Sequence, residues 1–320
     1  MLIATSETLI SQVILQILKS ELQLVALSQD IQFSIADSRT SNSSNDSVAS
    51  TSLYMVQRLF RSWNYREPLK IVWCISPIYV ADSNPFKVIE IIEFNRMMGV
   101  DFAYAYNLSA DSIISKILLY YQEIDYFRII PFRFNDFEAL YLQEIAFHDC
   151  IMRTMGIFRF MINTDLDEII VPQQFQCFKS LINHLLVNNK ASAYFFLHVF
   201  FYTEIAFLKE YRSTHEIPDL INTTELISYY AICREDEIWE VGSRSKLIIE
   251  SENIMSINPH YVYHFHPSAS NFGYVIPKET AKLHHYRNSY SPTKSNGANI
   301  IIDCSAVKWS SQLFFNFIKR

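Results

Sequence analysis

The chain has 320 residues, which is enough for one large α/β domain or two smaller ones. With 50% hydrophobic and 19% charged residues it has ample apolar material for a core, while a net charge of −6 leaves no basic surface for nucleic acid. Only 5 glycines occur, and neither a GxGxxG nor a Walker A pattern is present, which argues against a glycine-rich phosphate loop. The 5 cysteines include no CxxC pair, which excludes the usual zinc spacings and leaves open one or two disulfides and a free thiol.

Residues 1–52 are predicted to form an N-terminal helix followed by a polar linker. Apolar residues in 9–27 recur at helical spacing, but glutamines and charged residues interrupt them. Because a membrane span needs about 20 mostly apolar residues, this pattern favours an amphipathic helix over an anchor. Residues 38–52 are polar and of low complexity, as in a flexible linker. Asn-x-Ser/Thr sequons, which are compatible with a secretory glycoprotein, occur at Asn42, Asn45, Asn107 and Asn222.

From residue 70 onward, predicted strands and helices alternate along the chain. Strands are predicted at 70–80, 101–107, 125–134, 157–164 and 191–203, and helices at 85–100, 109–123, 135–156 and 175–190. Either Ser109 or Asp111 could cap the second helix. This alternation predicts βαβ units, and therefore an α/β fold with a mostly parallel central sheet and helices on both faces. The pattern weakens after residue 204, and residues 293–320 are predicted to be a C-terminal tail.

Two aspartates follow the strand predicted at 157–164, inside the otherwise apolar stretch FMINTDLDEIIVP. Ligands bind beyond the carboxyl ends of the strands in such sheets. Asp165 and Asp167 can turn towards one hard divalent cation there, with substrate phosphates completing its shell, and the cation would neutralise acids that burial penalises. The tripeptide alone would also fit a solvated turn or a helix cap; its strand-end position and apolar flanks favour the metal site. Glu168 is expected to cap or orient the loop.

Candidate partners of these acids gather in the C-terminal third of the chain. The histidines there are His260, His264, His266, His284 and His285. A lone histidine is usually a core or surface residue, but imidazole can complete a manganese site. Lys246 and Arg287 could contact a diphosphate. The acidic run at 234–237 is typical of an exposed loop; if it faces the pocket instead, Asp236 could be the general base for an acceptor hydroxyl.

An ordered set of segments resembles glycosyltransferase family 92 over about residues 68–290. The segments are CISPIYV with VIEIIEFNRMMGVDFAYAYN, YLQEIAFHDCIMR, FMINTDLDEIIVP, SRSKLIIESENIMSINPHYV and LHHYR. The resemblance implies a GT-A fold for a domain at residues 53–292. It also implies a manganese-dependent transferase that moves a sugar, expected to be galactose, from a UDP-sugar donor to a glycan acceptor with inversion.

The same resemblance assigns roles to individual residues. Asp165 and Asp167 would bind the metal and the diphosphate, and His260 in INPHYV would be the third metal ligand. His285 and Arg287 in LHHYR would lie near the donor phosphates, where Lys246 is a further candidate. The family motifs do not identify the general base, for which Asp236 is our candidate.

Three residues of the helix before the D-x-D strand belong to a further family segment. Gln143, Asp149 and Arg153 would either line the nucleotide or brace that strand.

Family members are typically Golgi proteins with one N-terminal membrane anchor. The resemblance therefore implies a type II membrane protein of the Golgi lumen, with membrane association here only if an anchor is missing from this sequence. Two other functions stay open at this point: an inactive, glycan-binding member of the family, and another metal-dependent nucleotide or phosphate enzyme. The intact D-x-D, His260 and LHHYR argue against the first. The CISP and LHHYR segments, which the second would not need, argue against it.

Overall fold

Strands and helices alternate along the computed structural model. It describes residues 69–79, 84–133, 139–204, 226–269, 272–287 and 299–318, so the predicted helix and linker of residues 1–52 lie outside the described residues. The strands are β1 (Ile71–Ile78), β2 (Phe102–Asn107), β3 (Phe127–Pro131), β4 (Phe160–Thr164), β5 (Glu168–Pro172), β6 (Ala193–Phe196), β7 (His198–Tyr202), β8 (Cys233–Glu235), β9 (Lys246–Glu250), β10 (Ile254–Ile257), β11 (Val262–Phe265), β12 (Gly273–Val275), β13 (Ala281–Arg287) and β14 (Ile300–Ile302). The α-helices are α1 (Pro85–Met97), α2 (Ser112–Glu123), α3 (Ala139–Thr154), α4 (Phe178–Asn188), α5 (Ile227–Tyr230) and α6 (Ser310–Ile318), and short 3₁₀ helices lie at Ser251–Asn253 and Val307–Trp309.

A seven-stranded sheet forms the centre of the fold, in the order β12-β6-β9-β4-β1-β2-β3. The pairs β1–β2, β2–β3, β1–β4 and β6–β12 are parallel. Strand β9 runs antiparallel to both β4 and β6. The predicted α/β fold with a mostly parallel central sheet is confirmed.

Local sequence explains where the first two helices begin and end. Pro85 occupies the first turn of α1, and the Asn84 side chain accepts a hydrogen bond from the Phe86 N–H at 3.0 Å. Gly99 follows the helix with φ of +91°, a conformation that glycine adopts without steric cost. Of the two predicted caps of α2, Asp111 is the one that caps it, since its Oδ1 accepts from the Ile113 and Ile114 N–H groups.

The core is built around β1, all eight residues of which are buried. Such a strand is covered on both faces, as its continuous apolar run predicts. Helix α3 packs against β1, and a disulfide between Cys74 and Cys150 joins the two elements. The pairing that the sequence left open is therefore resolved for these two cysteines.

The strand predicted at 191–203 is two strands that belong to different sheets, so this boundary prediction is wrong. Strand β6 pairs with β9 and β12 in the seven-stranded sheet, and β7 pairs with β13 in a second sheet. Every residue of both strands is buried. Because the run stays apolar across Leu197, no change in polarity marks the switch between sheets.

The second sheet has five strands in the order β14-β8-β7-β13-β5. Its strand β5 begins at Glu168 and pairs antiparallel with β13, and His285 lies opposite Glu168 in the register. On its other side β13 runs parallel to β7. This register brings the LHHYR segment against the D-x-D segment.

Part of the segment predicted as a C-terminal tail, residues 293–320, is built into the fold. Strand β14 pairs antiparallel with β8, and α6 packs against α1. Leu313 of α6 is fully buried. Across the ranges that the structure describes, no helix combines the length and the apolar character that crossing a membrane requires.

Candidate functional site

The acids of the DLDE segment lie at the carboxyl end of β4, where the sequence predicts them. Strand β4 ends at Thr164, whose hydroxyl accepts a hydrogen bond from the Trp73 indole N–H at 2.8 Å. A tight turn follows, in which the Asp165 N–H donates to Glu168 Oε2 at 3.1 Å. Glu168 therefore orients the loop, as expected, and its strand β5 then leads the chain into the second sheet.

Two cations of the chain pair with these three carboxylates. Lys246 Nζ lies 3.2 Å from Asp165 Oδ2 and 3.5 Å from Glu168 Oε2, and its side chain is 1% exposed. His285 Nε2 lies 3.2 Å from Asp167 Oδ2, and its Nδ1 lies 3.2 Å from Glu168 Oε1. Lys246 stands at the start of β9, next to β4 in the sheet, so the paired strands themselves bring the opposite charges together.

The pKa shifts of the acids follow from burial and these two cations. Burial raises the pKa of Asp165 above its ordinary value, and Lys246 offsets only part of that effect. Burial alone would also raise the pKa of Glu168, but Lys246 and His285 together hold it well below its usual range. Against the same burial, the His285 charge lowers the pKa of Asp167.

The pKa shifts of the cations point the same way. Burial alone would lower the pKa of His285, but Asp167 and Glu168 raise it to about 9, so this imidazole is protonated at neutral pH. The pKa of Lys246 is raised as well, since its carboxylate partners outweigh the effect of burial. Three carboxylates therefore face two cations, Lys246 and His285, so acidic groups outnumber basic ones in the cluster.

His260 presents one ring nitrogen to the same site. Its Nδ1–H donates to the Ser245 carbonyl oxygen at 3.0 Å, which leaves Nε2 as the acceptor of the neutral ring. Burial and nearby Lys246 lower the pKa of His260, which favours that neutral form. A neutral imidazole with one nitrogen held by a carbonyl is the usual form of a metal-binding histidine.

Hydrogen bonds from the sheet hold the His260 loop in place. Asn163 of β4 donates from Nδ2 to the Pro259 carbonyl oxygen at 3.0 Å and accepts the Leu247 N–H at 2.7 Å. The Ser245 hydroxyl donates to the His260 carbonyl oxygen at 2.7 Å. The loop is thus tied both to the strand that ends in the D-x-D and to the strand that carries Lys246.

His198 also belongs to the site, although the sequence does not predict it. One ligand atom each of Glu168, His198 and His285 lies within 4.8 Å of the others, an arrangement that could also hold a metal ion. Burial and the His285 charge lower the pKa of His198 to about 3, so His198 is neutral beside the protonated His285, whose Nδ1 lies 2.9 Å from His198 Nε2. A single histidine within the apolar run FFLHVFFY carries no local signal that separates it from a core residue.

A cavity of about 210 Å³ opens over these groups. Its walls are Gln143, Asp165, Asp167, Glu168, His198, Arg244, His260, His285 and Arg287. Five of the residues predicted to bind the metal or the diphosphate line this cavity: Asp165, Asp167, His260, His285 and Arg287. Lys246 lies behind Asp165 and Glu168 as their buried counter-ion, and Asp236 lies elsewhere.

Arg244 is the second residue of the cavity that the sequence reading did not single out. Its guanidinium lies 4.6 Å from the ring centroid of Trp239 and 5.2 Å from that of Phe200. Its buried Nε has no hydrogen-bond partner among the described residues. Stacking on two aromatic rings fixes a cation without neutralising it, so Arg244 stays available to an anion in the cavity.

Several other candidates lie away from the cavity. Asp236 is exposed in the loop after β8, where its N–H donates to the Asn299 carbonyl oxygen at 2.9 Å, and it is not among the cavity residues. Asp149 accepts from Arg153 at 2.6 Å and from the Tyr106 hydroxyl at 2.7 Å, which braces α3 against β2. Of the three helix residues considered, only Gln143 lines the cavity.

The remaining histidines have structural partners. His284 is buried and stacks on the Phe201 ring with 4.2 Å between centroids. His264 contacts the Ser256 hydroxyl at 2.7 Å, and His266 contacts that of Ser268 at 2.6 Å.

Comparison with known proteins identifies a family. The family described as Glycosyltransferase family 92 matches residues 70–312, which is most of the chain. The beta-1,4-galactosyltransferase galt-1 of Caenorhabditis elegans is 29% identical over 111 residues. That match covers 32% of this chain and spans only 25% of the relative's length.

Solved structures give only weak likenesses. A crystal structure of S. aureus TarS 1–349 in complex with UDP has a TM-score of 0.29 at 12% identity, covering 43% of this chain and 37% of that one. A crystal structure of S. aureus TarS has a TM-score of 0.34 at 9% identity, covering 68% and 37% of the respective chains. A 4-diphosphocytidyl-2C-methyl-D-erythritol synthase has a TM-score of 0.29 at 8% identity, covering 58% and 77%.

Proposed function

Because the chain belongs to glycosyltransferase family 92, we propose that it transfers galactose from UDP-galactose to a glycan acceptor, with inversion and with Mn²⁺ as cofactor. The observation that carries the proposal is the cavity in which the D-x-D acids, His260 and two arginines line a common space. Carboxylates and an imidazole suit a divalent cation, and guanidinium groups suit the diphosphate that it accompanies.

The residues present fit a divalent cation. Asp165 Oδ1 is buried and accepts no well-formed hydrogen bond from the residues that the structure describes, a state that is costly unless a ligand satisfies it. Asp167 and His260 line the same cavity, and oxygen and imidazole donors suit manganese. We therefore assign Asp165, Asp167 and His260 as the residues that would hold Mn²⁺, which as a Lewis acid would stabilise the charge on the UDP leaving group.

The ion pairs inside the chain leave room for that cation. Lys246 and His285 are two cations for three carboxylates, so the acids outnumber their counter-ions and can take a divalent ion as well. Lys246 is almost completely buried behind Asp165 and Glu168. We infer that Lys246 favours the ionised form of both acids. Its role in diphosphate binding is therefore indirect, whereas the sequence led us to expect a direct contact.

Arg244 and Arg287 are the cations that we assign to the donor phosphates. Both line the cavity, and the guanidinium of Arg244 is fixed on Trp239 and Phe200. A planar guanidinium can donate two parallel hydrogen bonds to phosphate oxygens. His285 also lines the cavity, beside Asp167, and its positive charge would favour the phosphates as well.

Transfer with inversion is a direct displacement, in which the acceptor hydroxyl attacks the anomeric carbon as UDP leaves and a basic group takes up the hydroxyl proton. We do not retain Asp236 for that role, because it is exposed and does not line the cavity.

We also propose that the protein works in the Golgi lumen, as part of a type II membrane protein. The Cys74–Cys150 disulfide supports an oxidising compartment. The four sequons are compatible with the same compartment. Non-reducing electrophoresis and endoglycosidase treatment of protein from secreting cells test this; a reduced, unglycosylated product would contradict it.

The decisive experiment for the activity uses the purified protein with Mn²⁺ or with EDTA and a panel of UDP-sugars. Donor hydrolysis and transfer to galactosylated or fucosylated glycans are followed, and the anomeric configuration of the product is read by NMR. We expect Mn²⁺-dependent transfer from UDP-galactose with inversion. Hydrolysis and transfer that are absent with every donor would overturn the proposed function, and a retained configuration would overturn the mechanism.

A further inference from the structure

The hairpin formed by β10 and β11, residues 254–265, exposes aromatic rings to solvent. Tyr261 is 36% exposed, Tyr263 is 43% exposed and Phe272, which contacts the end of this hairpin, is 66% exposed. The Phe265 and Phe272 rings touch, with 5.3 Å between centroids. Adjacent exposed aromatic rings of this kind mark interaction sites, because burying them on a ligand is favourable.

The two tyrosine rings are held in fixed positions. Their centroids are 4.8 Å apart with a 79° interplanar angle, and the Tyr263 hydroxyl donates to Glu144 Oε1 of α3 at 2.8 Å. Asn258 Oδ1 accepts the His260 and Tyr261 N–H groups at 2.6 and 3.1 Å, which fixes the turn of the hairpin. Rings that are already ordered lose little conformational entropy when they bind.

Both tyrosines are attached at the wall of the cavity. His260 lines the cavity and Tyr261 is the next residue, held in the same turn. Gln143 also lines the cavity, and it precedes Glu144, the partner of Tyr263. The two tyrosines are therefore tied to neighbours of two cavity-lining residues, His260 and Gln143.

The chemistry of the hairpin differs from that of the cavity. Residues 254–265, IMSINPHYVYHF, contain no Asp, Glu, Lys or Arg, whereas acids and arginines dominate the cavity wall. A neutral hexose has an apolar face of C–H groups and an edge of hydroxyls. Such a hexose fits an aromatic surface that has no charged side chains of its own and has tyrosine hydroxyls at its border. A diphosphate, by contrast, fits the charged cavity.

We propose that Tyr261 and Tyr263 form the acceptor-binding surface, on which a neutral hexose of the acceptor glycan stacks so that its attacking hydroxyl reaches the cavity. This rests on the proposed function, because it takes the cavity as the donor site. The tyrosines make no bond to the reacting atoms; they position the acceptor and determine its affinity.

The test compares Tyr261→Ala and Tyr263→Ala with the wild type, using UDP-galactose, Mn²⁺ and a galactose- or fucose-terminated oligosaccharide. We expect the KM for the acceptor to rise about 3- to 10-fold for each variant, as the loss of one stacked ring predicts. Donor hydrolysis without acceptor should stay at the wild-type rate. Tyr261→Phe, which keeps the ring, should stay within about 2-fold of the wild-type KM.

Tyr120→Ala is the matched control, since this tyrosine of α2 is 42% exposed and belongs to a helix that does not line the cavity. An unchanged acceptor KM in both hairpin variants would overturn the inference, as would an equal loss of donor hydrolysis and transfer. If Tyr263→Ala does not fold, Tyr261→Ala and Tyr261→Phe decide. A wild type that transfers to no acceptor overturns the proposed function itself, which distinguishes the two failures.

Discussion

Replacing Lys246 by methionine should destabilise the fold severely, because the side chain is the buried counter-ion of two acids. It is 1% exposed and lies 3.2 Å from Asp165 and 3.5 Å from Glu168. Removing one partner of a buried ion pair leaves uncompensated charge and costs about 3–5 kcal/mol. Since 1 kcal/mol shifts the midpoint by about 2–4 °C in domains of this size, the thermal midpoint should fall by roughly 6–20 °C.

Lys179→Met is the matched control for that experiment. Lys179 also pairs with an aspartate, Asp101 at 2.9 Å, but its side chain is 41% exposed. Such a surface pair contributes about 0–1 kcal/mol, so the midpoint should move by less than about 4 °C. Both variants are melted in EDTA, so that bound metal does not replace the missing charge.

A double variant identifies the cause of the loss. Adding Glu168→Gln to Lys246→Met removes one of the two acids that lose Lys246 as a counter-ion, so the double variant should be more stable than the sum of the two single changes predicts. Equal, small shifts for Lys246→Met and Lys179→Met would refute the charge-pairing argument. Strict additivity in the double variant would refute it as well.

Three further predictions concern the metal, the base and the pH response. His260→Ala should raise the Mn²⁺ concentration needed for half-maximal activity by about 10-fold or more, because it removes a ligand whose ring is already oriented; an unchanged Mn²⁺ requirement would exclude it as a ligand. Asp236→Asn should leave kcat within about 2-fold, since this exposed carboxylate does not line the cavity, and a loss of about 100-fold would restore it as the base. Burial raises the pKa of Glu90 from 4.5 to about 7, so the folded protein binds the extra proton and stability should fall by up to about 3 kcal/mol as the pH rises from 4.5 through 7. Glu90→Gln should flatten that fall in urea unfolding, and an equally steep fall in the variant would assign it to another group.

The sequence predicts those parts of the fold and site that depend on neighbouring residues. Alternating periodicity places β1 to β4 and the intervening helices, and the polar break after β4 places Asp165 and Asp167 at the edge of the sheet. In the sequence only the family motif supports His260 as a ligand, because its ligand-like tautomer depends on a hydrogen bond to the carbonyl oxygen of Ser245, 15 residues earlier.

What the sequence does not predict depends on contacts between distant strands. His198 joins the site because β7 pairs with β13, which brings it next to His285, 87 residues later in the chain. The neighbours of His198 in the sequence are uniformly apolar. Arg244 becomes notable only when Trp239 and Phe200 stack on it. The sequence predicts Lys246 as a contact of the donor diphosphate. Its nearly complete burial beside Asp165 and Glu168 is evident only in the folded chain.

The measurement that tests the account most directly is the affinity of the protein for UDP, by isothermal titration calorimetry with Mn²⁺ and with EDTA. The account predicts binding that is at least about tenfold tighter with Mn²⁺, and a loss of that gain in Asp165→Asn and Asp167→Asn. Equal affinity in Mn²⁺ and EDTA, or a gain that survives both substitutions, would contradict the assignment of these acids as the metal and diphosphate site.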